Sequence, residues 1–379
     1  MTVALRSFAK INLGLYIGAR RADGFHELRT VYQTIALHDV VRVSVAGKAR
    51  GGIEILCDDP RVPLDSSNTC YRMAALVMEA LGARGKVGVA IEKKLPVQGG
   101  LGAASSNAMA AMVGLERALK KRLGGAERLR IAAEVGSDLP LFAIGGTVLG
   151  VGRGEEVYPL ADLAAMAMVV VTPEIGVSTP KAFADWDALV TDEKSAKGLE
   201  PQRTRRNTED SGLASTSERR MVGTGEVARP HIEARLHINP PELTGSGSSD
   251  RLFEIGCALS AWLSGCSNFG SPKAGAPAKG GGRVGSLLSD LVRAGIENDF
   301  EKVVFPQFPE LRDIKRALVR AGSRYASLSG SGSTLYGLFG SAAEAERAAA
   351  RLRKQGLRAT ATRTLTRREF GKLSLVGGR

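Results

Sequence analysis

A glycine-rich segment, PVQGGLGAASSNA at Pro96–Ala108, places the strongest constraint on how this chain can fold. The segment before it alternates Val87, Val89 and Ile91 with other residues, which predicts a strand. The segment after it predicts a helix from Ser105 to Leu123. A glycine-rich loop costs backbone entropy when it is ordered and has few side chains to pack. This order of strand, loop and helix therefore favours a backbone that must lie close to an anion.

The loop differs from the common phosphate-binding sequences. It lacks the Gly-Lys-Ser/Thr end of a Walker A segment and the spacing of a dinucleotide-binding fingerprint. Even so, Gly99, Gly100 and Gly102 allow successive N–H groups to point at a ligand. Ser105 and Ser106 would lie in the first helical turn, where unpaired N–H groups and the helix dipole favour an anion. A flexible linker is the alternative, and the flanking strand and helix favour the phosphate site.

Two charged residues stand in apolar surroundings. Lys10 and Asn12 have the same parity on a predicted strand, so their side chains share one face. Lys10 lies either at a surface edge or opposite an anion or carboxylate, because an unpaired buried ammonium is costly. Asp138, in VGSDLPLF, is either the cap of a turn or a carboxylate held in a cleft and paired with Lys10.

A second glycine–serine turn, Ser329–Ser333, separates two predicted strands near the end of the chain. A tight hairpin explains it without any function. Because one such loop lies in each half of the chain, the pair favours a ligand held between two domains.

The length of 379 residues predicts two domains. Residues 1–160 combine strands with the glycine loop and its helix, and residues 161–366 alternate strands and helices as in a small α/β sandwich. Within the second domain, residues 191–285 are rich in Ser, Gly, Arg and Glu without a regular pattern, which predicts a disordered insertion. Residues 367–379 form a basic tail.

The net charge of +13 is concentrated at the end of the chain. Between Arg347 and Arg379 there are ten Lys and Arg residues and one acidic residue, Glu369, so this segment holds +9 of the total. A basic end can bind nucleic acid or a membrane surface. We favour a solvated helix face followed by a frayed tail.

Several functional classes are disfavoured by composition. The longest apolar run, Leu163–Val171, is too short to cross a bilayer, and the first residues lack a signal-peptide pattern. Four cysteines without zinc-like spacing predict reduced thiols and a cytoplasmic protein. His231 and His237 have no supporting ligands, so no protein metal site is predicted.

Three segments together resemble the GHMP kinases, a family named for galactokinase, homoserine, mevalonate and phosphomevalonate kinases. PVQGGLGAASSNA is similar to the family's central loop, FAKINLGL to its N-terminal motif and SGSGSTLYGLF to its C-terminal motif. AKINLGLYIGARRADGFHEL, GSDLPLF, VSTPKAF and NDFEKVVFPQFPEL resemble the branch whose acceptor is a cytidine-diphosphate-linked methylerythritol. The resemblance covers residues 1–190 and 286–366. It implies an α+β, two-domain fold with an N-terminal ribosomal-protein-like α/β domain and a C-terminal ferredoxin-like α/β sandwich.

The resemblance also implies a reaction. ATP, with Mg²⁺, would donate its γ-phosphoryl group to the 2-hydroxyl of the acceptor. The residues matched by Lys10 and Asp138 would be catalytic, with Asp138 accepting or orienting the hydroxyl proton and Lys10 offsetting charge. The residues implied to hold ATP are Pro96, Val97, Gln98, Gly99, Gly100, Leu101, Gly102, Ala103, Ala104, Ser105 and Ser106.

The acceptor site carries over by position in the same way. His26 would hydrogen-bond the edge of the cytosine, and Asn12 would line the pocket. Phe25 and Phe183 would sandwich the pyrimidine ring, by the stacking that holds single bases on aromatic side chains. Thr179 would contact the substrate nearby. The expected partner is thus a small molecule, with neither nucleic acid nor membrane, and the chain is expected to be a monomer or weak homodimer.

Three alternatives remain open. Another GHMP kinase, acting on homoserine or mevalonate, would have no use for the ADGFH segment. An RNA-binding protein would suit the basic tail, yet no strand face interleaves aromatic and basic residues. An inactive sugar-nucleotide sensor is disfavoured because both Lys10 and Asp138 are present.

Overall fold

The computed structural model of this chain describes residues 2–47, 51–198 and 296–376. Two separate sheets, each covered by helices, account for nearly all of these residues. The insertion predicted over residues 191–285 begins inside a helix that continues to Gly198, and the rest of it lies outside the described residues.

The first sheet has six strands and four accompanying helices. Its strands are β1 (Thr2–Arg20), β2 (His26–Ala46), β3 (Ile53–Cys57), β4 (Lys86–Glu92), β5 (Thr147–Val151) and β6 (Glu156–Pro159). Its helices are α1 (Thr69–Ala80), α2 (Ala103–Leu119), α3 (Gly125–Val135) and the short α4 (Leu141–Ile144). β4 pairs with the second half of β2 and β5 with its first half, while β3 runs parallel to β4.

β1 and β2 form a long antiparallel hairpin that supports the whole molecule. A turn at Asp23-Gly24 connects them, and the Arg21 N–H donates to the carbonyl of Phe25 at 2.7 Å. The register shifts at three places along the hairpin. Such shifts bend and twist a strand pair, which lets one hairpin contribute to more than one core.

Helix packing against the first sheet follows the sequence pattern. Asn68 caps α1, with its side chain accepting a hydrogen bond from the N–H of Cys70 at 2.8 Å. α2 begins at Ala103 and ends at Leu119, so it lies earlier than the predicted Ser105–Leu123. Gly114 lets α2 approach the sheet closely, since an added Cβ would lie 2.5 Å from the Val43 side chain.

The second sheet has four antiparallel strands in the order β10-β7-β9-β8. These strands are β7 (Ala167–Val171), β8 (Tyr325–Leu328), β9 (Leu335–Phe339) and β10 (Ala359–Arg363). Its helices are α5 (Thr179–Gly198), α6 (Phe300–Gln307), α7 (Pro309–Arg320) and α8 (Ala342–Lys354).

Both faces of the second sheet are buried. Val169 and Val171 of β7 pack in the core formed with the helices. Their neighbours Met168 and Val170 pack in a different core with residues of β1 such as Ile11. The alternation along β7 therefore joins the second sheet directly to the long hairpin.

The end of the chain returns to the first sheet. α9 (Arg367–Leu373) begins with a capping box between Thr366 and Glu369. The Arg6 guanidinium donates to the carbonyls of Leu373 and Leu375 at 2.9 and 3.0 Å. The predicted frayed tail is therefore wrong over residues 367–376, because capping and contacts with β1 order this segment.

No helix among the described residues is both long and apolar enough to span a membrane.

Candidate active site

Lys10 and Asp138 meet at the mouth of the first domain. Lys10 is buried on β1, and its Nζ lies 3.3 Å from Oδ2 of Asp138, whose side chain is 33% exposed. Of the alternatives left open for these residues, the structure therefore selects the paired one. Because the Lys10 ammonium is buried and the Asp138 carboxylate is partly exposed, the carboxylate is the group that can contact a ligand.

Tyr32 on β2 completes this pair and was missed by the sequence analysis. Its hydroxyl donates a hydrogen bond to Oδ1 of Asp138 at 3.0 Å, and the Lys10 ammonium lies 5.5 Å from its ring centroid. Burial and the neighbouring Asp138 charge raise the pKa of Tyr32 well above its usual value. Tyr32 lies directly opposite Asn12 in the hairpin, a register that is known only once the two strands have paired.

Asn12 orients the ammonium from the other side. Its Oδ1 accepts a hydrogen bond from Lys10 Nζ at 2.8 Å, and its Nδ2 donates to Thr30 Oγ1 at 2.7 Å. The Thr30 hydroxyl in turn donates to the carbonyl of Gly14 at 2.8 Å. The amide of Asn12 is therefore fixed, with its oxygen towards Lys10.

The glycine-rich loop lies against the same side chains. The N–H of Lys10 donates to the carbonyl of Leu101 at 3.0 Å. Gln98, Gly100 and Gly102 have positive φ angles of 60°, 77° and 67°. A Cβ added at Gly102 would lie 3.0 Å from Lys10 Cγ, so the loop passes close above the lysine.

The second glycine–serine turn packs directly on the first loop. The Ser329 hydroxyl donates to the carbonyl of Gly100 at 2.9 Å, and the Thr334 N–H donates to the carbonyl of Gly99 at 3.3 Å. A Cβ at Gly100 would lie only 2.1 Å from the Ser329 carbonyl oxygen. Gly330 completes the contact, since its own added Cβ would lie 3.6 Å from Lys10 Nζ.

The start of α2 has the properties of an anion site. Gly102 is its N-cap, and no side chain caps it among the described residues, so the first-turn N–H groups are free to bind an anion. Ser106 is buried and its hydroxyl accepts a hydrogen bond from Ser7 at 2.8 Å, whereas Ser105 is half-buried. The Thr334 hydroxyl, next to Gly99, is buried without a hydrogen-bond partner among the described residues.

Asp39 positions the entry to the loop and was also missed. It is fully buried and accepts hydrogen bonds from the N–H groups of Lys94 and Leu95 at 2.7 and 2.8 Å. It also pairs with Lys93 Nζ at 2.5 Å and accepts from Asn107 Nδ2 of α2 at 3.1 Å. The Asp39 carboxylate thus connects β2, the segment before Pro96 and helix α2. Its only sequence signal is a charge between apolar strand residues.

The side chains expected around a cytosine lie at the other end of the hairpin. Phe25 is 51% exposed, and the Arg153 guanidinium lies 4.9 Å from its ring centroid. His26 is buried and stacks on Phe183 with ring centroids 4.8 Å apart. His26 Nε2 donates to Oδ1 of Asp187 at 2.6 Å, so α5 supplies both partners of this imidazole.

The structure brings these predicted residues to one side of the molecule, but it changes the expected sandwich. One face of Phe183 is already covered by His26, and the edge of Phe300 packs against the ring at 5.0 Å. The Phe25 ring is therefore the more open of the two, whereas Phe183 has one face occupied by His26. Thr179 lies nearer the loops, with its hydroxyl 2.7 Å from that of Ser331.

Within the described residues, no group of three or more His, Cys, Asp or Glu side chains could hold a metal ion. The unclaimed N–H groups and hydroxyls beside α2 suit phosphate oxygens instead.

Comparisons with known proteins agree with this geometry. The family models for the GHMP kinases N terminal domain and GHMP kinases C terminal match residues 68–146 and 283–357. The 4-diphosphocytidyl-2-C-methyl-D-erythritol kinase of Solibacter usitatus is 33% identical over 336 residues, 88% of this chain and 80% of the relative. That of Heliobacterium modesticaldum is 32% identical over 366 residues, 95% of each chain. The chain belongs to the 4-diphosphocytidyl-2-C-methyl-D-erythritol kinase family, a branch of the GHMP kinases.

Solved structures support the same branch. A crystal structure of a 4-(cytidine 5'-diphospho)-2C-methyl-D-erythritol kinase superposes with a TM-score of 0.59 at 25% identity, covering 95% of this chain and 98% of that one. A homoserine kinase from Cytophaga hutchinsonii reaches the same TM-score at 16% identity, covering 96% and 95%, which shows the fold alone. The α+β, two-domain GHMP kinase fold implied by the resemblance is confirmed.

Proposed function

We propose that this chain is an ATP-dependent kinase that phosphorylates the 2-hydroxyl of 4-diphosphocytidyl-2-C-methyl-D-erythritol, a step in non-mevalonate isoprenoid precursor synthesis. The observation that carries the proposal is the Lys10–Asp138 pair beneath two interlocked glycine loops. The names of the full-length relatives supply the acceptor. The substrate is a small molecule, and a cytoplasmic location and a monomeric or weakly dimeric state remain predictions.

The γ-phosphoryl group passes to an acceptor alcohol held beside Asp138. Phosphoryl transfer depends mainly on positioning and electrostatics, so Asp138 needs only to orient the hydroxyl and receive its proton. Lys10 lies 3.3 Å from that carboxylate and places a positive charge next to the reacting oxygens. Asn12 keeps the ammonium in this position.

The glycine loop and the start of α2 hold the phosphates. Backbone N–H groups of residues 99–105 face the anion, and the hydroxyls of Ser105 and Ser106 add donors beside them. The turn at Ser329–Ser333 keeps the loop in this conformation through Gly99 and Gly100. Mg²⁺ would be held by the phosphates, with help from the nearby serine hydroxyls, and it would neutralise phosphate charge.

The cytidine end of the acceptor lies at the hairpin turn. The exposed ring of Phe25 stacks on the base, and Arg153 beside it offers charge to the diphosphate. His26 and Thr179 define the wall of the pocket, and Phe183 stacks on His26 from behind.

A coupled ADP-release assay tests the proposal with three acceptors, namely the cytidyl substrate, mevalonate and homoserine. We expect turnover with the cytidyl substrate alone. Turnover with mevalonate or homoserine, at a kcat/KM equal to or above that for the cytidyl substrate, would replace the proposed acceptor. An Asp138→Asn variant run in parallel reports any contaminating kinase.

A further inference from the structure

We infer that Tyr32 is a positioning residue for the phosphoryl transfer, because its hydroxyl fixes the carboxylate of Asp138 while its ring supports Lys10. The inference rests on the proposed function, which gives Asp138 the acceptor proton. It adds a third member to the pair that the sequence predicted.

The geometry of the carboxylate is the first argument. Tyr32 donates a hydrogen bond to Oδ1 at 3.0 Å and the Lys10 ammonium forms an ion pair with Oδ2 at 3.3 Å, so both oxygens of Asp138 are held. A carboxylate held at both oxygens cannot rotate freely, yet each oxygen keeps a second lone pair. The acceptor hydroxyl therefore meets a carboxylate whose orientation is already set.

The fit of the ring is the second argument. Tyr32 is 2% exposed and lies in a slot that two glycines leave open. A Cβ at Gly150 would lie 2.4 Å from its ring, and a Cβ at Gly154 would lie 2.5 Å from its hydroxyl oxygen. The same ring faces the Lys10 ammonium at 5.5 Å, so Tyr32 contacts both members of the pair.

The protonation of the phenol is the third argument. Burial and the Asp138 charge raise the pKa of Tyr32, so the hydroxyl stays protonated and acts only as a donor. The charged groups around it are Lys10 on β1, Asp138 before α4 and Glu155 between β5 and β6, which pairs with Arg153 at 2.9 Å.

Tyr32→Phe tests the inference, since it keeps the ring, the slot and the contact with Lys10 and removes only the hydroxyl. We expect kcat to fall about ten- to a hundredfold, the range for losing a hydrogen bond to a charged group. KM for ATP should stay within about twofold, because the loop is untouched.

Tyr325→Phe is the matched control. Its phenol is half-buried, and it donates to the carbonyls of Leu13 and Ile296 at 3.1 and 3.4 Å. We expect its kcat and its KM for ATP to equal those of the wild type.

A double variant separates positioning from a general structural effect. In an Asp138→Asn background, Tyr32→Phe should change kcat by less than about twofold, because its route runs through Asp138. An unchanged kcat in Tyr32→Phe, or an undiminished fall in the double variant, would overturn the inference. Wild-type turnover tests the proposed function separately, and an inactive wild type would overturn both.

Discussion

Asp138 is partly exposed and carries a negative charge, whereas its partner Lys10 is buried and positive, so Asp138 is the residue whose substitution tests proton acceptance. Asp138→Asn keeps the shape of the side chain but cannot accept the hydroxyl proton. We expect kcat to fall about 10²- to 10⁴-fold while ATP binding, measured by calorimetry, stays unchanged. Equal kcat in the variant would remove Asp138 from the mechanism.

Phe25 gives a prediction about the acceptor. Because its ring is 51% exposed, Phe25→Ala should leave the unfolding temperature almost unchanged. Loss of a stacked base should raise KM for the cytidyl substrate about tenfold, with KM for ATP unaffected. Val319→Ala, at a comparably exposed apolar residue of α7, should change neither constant. An unaltered KM in Phe25→Ala would mean that another group holds the base.

For single residues, the sequence predicts which side chains are candidates for the site better than it predicts which side chains they contact. Lys10 and Asp138 are predictable as a pair only as one of two alternatives, because an unpaired buried charge is costly but a surface edge and a turn cap also fit these residues. Tyr32 is not, because a tyrosine on a strand is usually a core residue and its hydroxyl meets Asp138 only after folding. His26 shows the same limit, since its partners Phe183 and Asp187 come from a distant helix.

Among the elements, the interlocked glycine loops depend on the absence of a side chain at Gly100. Gly100→Ala would place a Cβ 2.1 Å from the Ser329 carbonyl oxygen, at a φ of +77°. We expect kcat/KM for ATP to fall about a hundredfold, because the loop must move away from the second turn. In Gly125→Ala, where nothing lies within 4 Å, activity should persist and stability should equal or exceed that of the wild type. Normal ATP kinetics in Gly100→Ala would show that the contact between the loops is dispensable.

Asp39 provides a second test at the level of elements. Asp39→Ala would leave the buried Lys93 ammonium and two backbone N–H groups without their acceptor. We expect the free energy of unfolding, from urea titration, to fall by about 3–5 kcal/mol. Asp313→Ala, which removes an exposed pair with Arg316, is the control and should lie within about 1 kcal/mol of the wild type. A similar loss in both variants would contradict the bridging role of Asp39.

Elements are predictable from the sequence where local rules dominate. The alternation in β4, the Asn68 cap of α1 and the Asp23-Gly24 turn each depend on a few neighbouring residues. The register shifts of the β1–β2 hairpin are different, because contacts with two separate cores determine them. These shifts determine which side chains stand opposite Lys10 and Asn12. The sequence therefore predicts candidate residues of the site but not how they pair.

In the whole molecule, the returning C-terminal segment connects the two sheets and can be tested directly. Phe370 of α9 packs on Gly145, where an added Cβ would lie 2.3 Å from the ring. Phe370→Ala should lower the free energy of unfolding by about 2 kcal/mol, because the ring is half-buried. Leu373→Ala, at an exposed residue of the same helix, should cost less than about 0.5 kcal/mol. Equal unfolding curves for the two variants would mean that α9 is not docked in solution.

Two domains and their class follow from length and alternation, but the joint core between them does not. Ile11, Met168, Val170 and Leu338 come from distant parts of the chain and meet in one cluster. Each residue alone predicts only an apolar face. Which apolar face packs against which other face is determined only when the chain folds, so the joint core cannot be predicted from the sequence.

This shared core has a consequence for how nucleotide enters and leaves. Leu101, in the middle of the glycine loop, is itself a buried member of the cluster that joins the two sheets. The two domains therefore cannot rotate apart without disrupting that cluster. We expect nucleotide exchange to depend on small movements at the rim of the cleft, around the loop ends and the Phe25 turn.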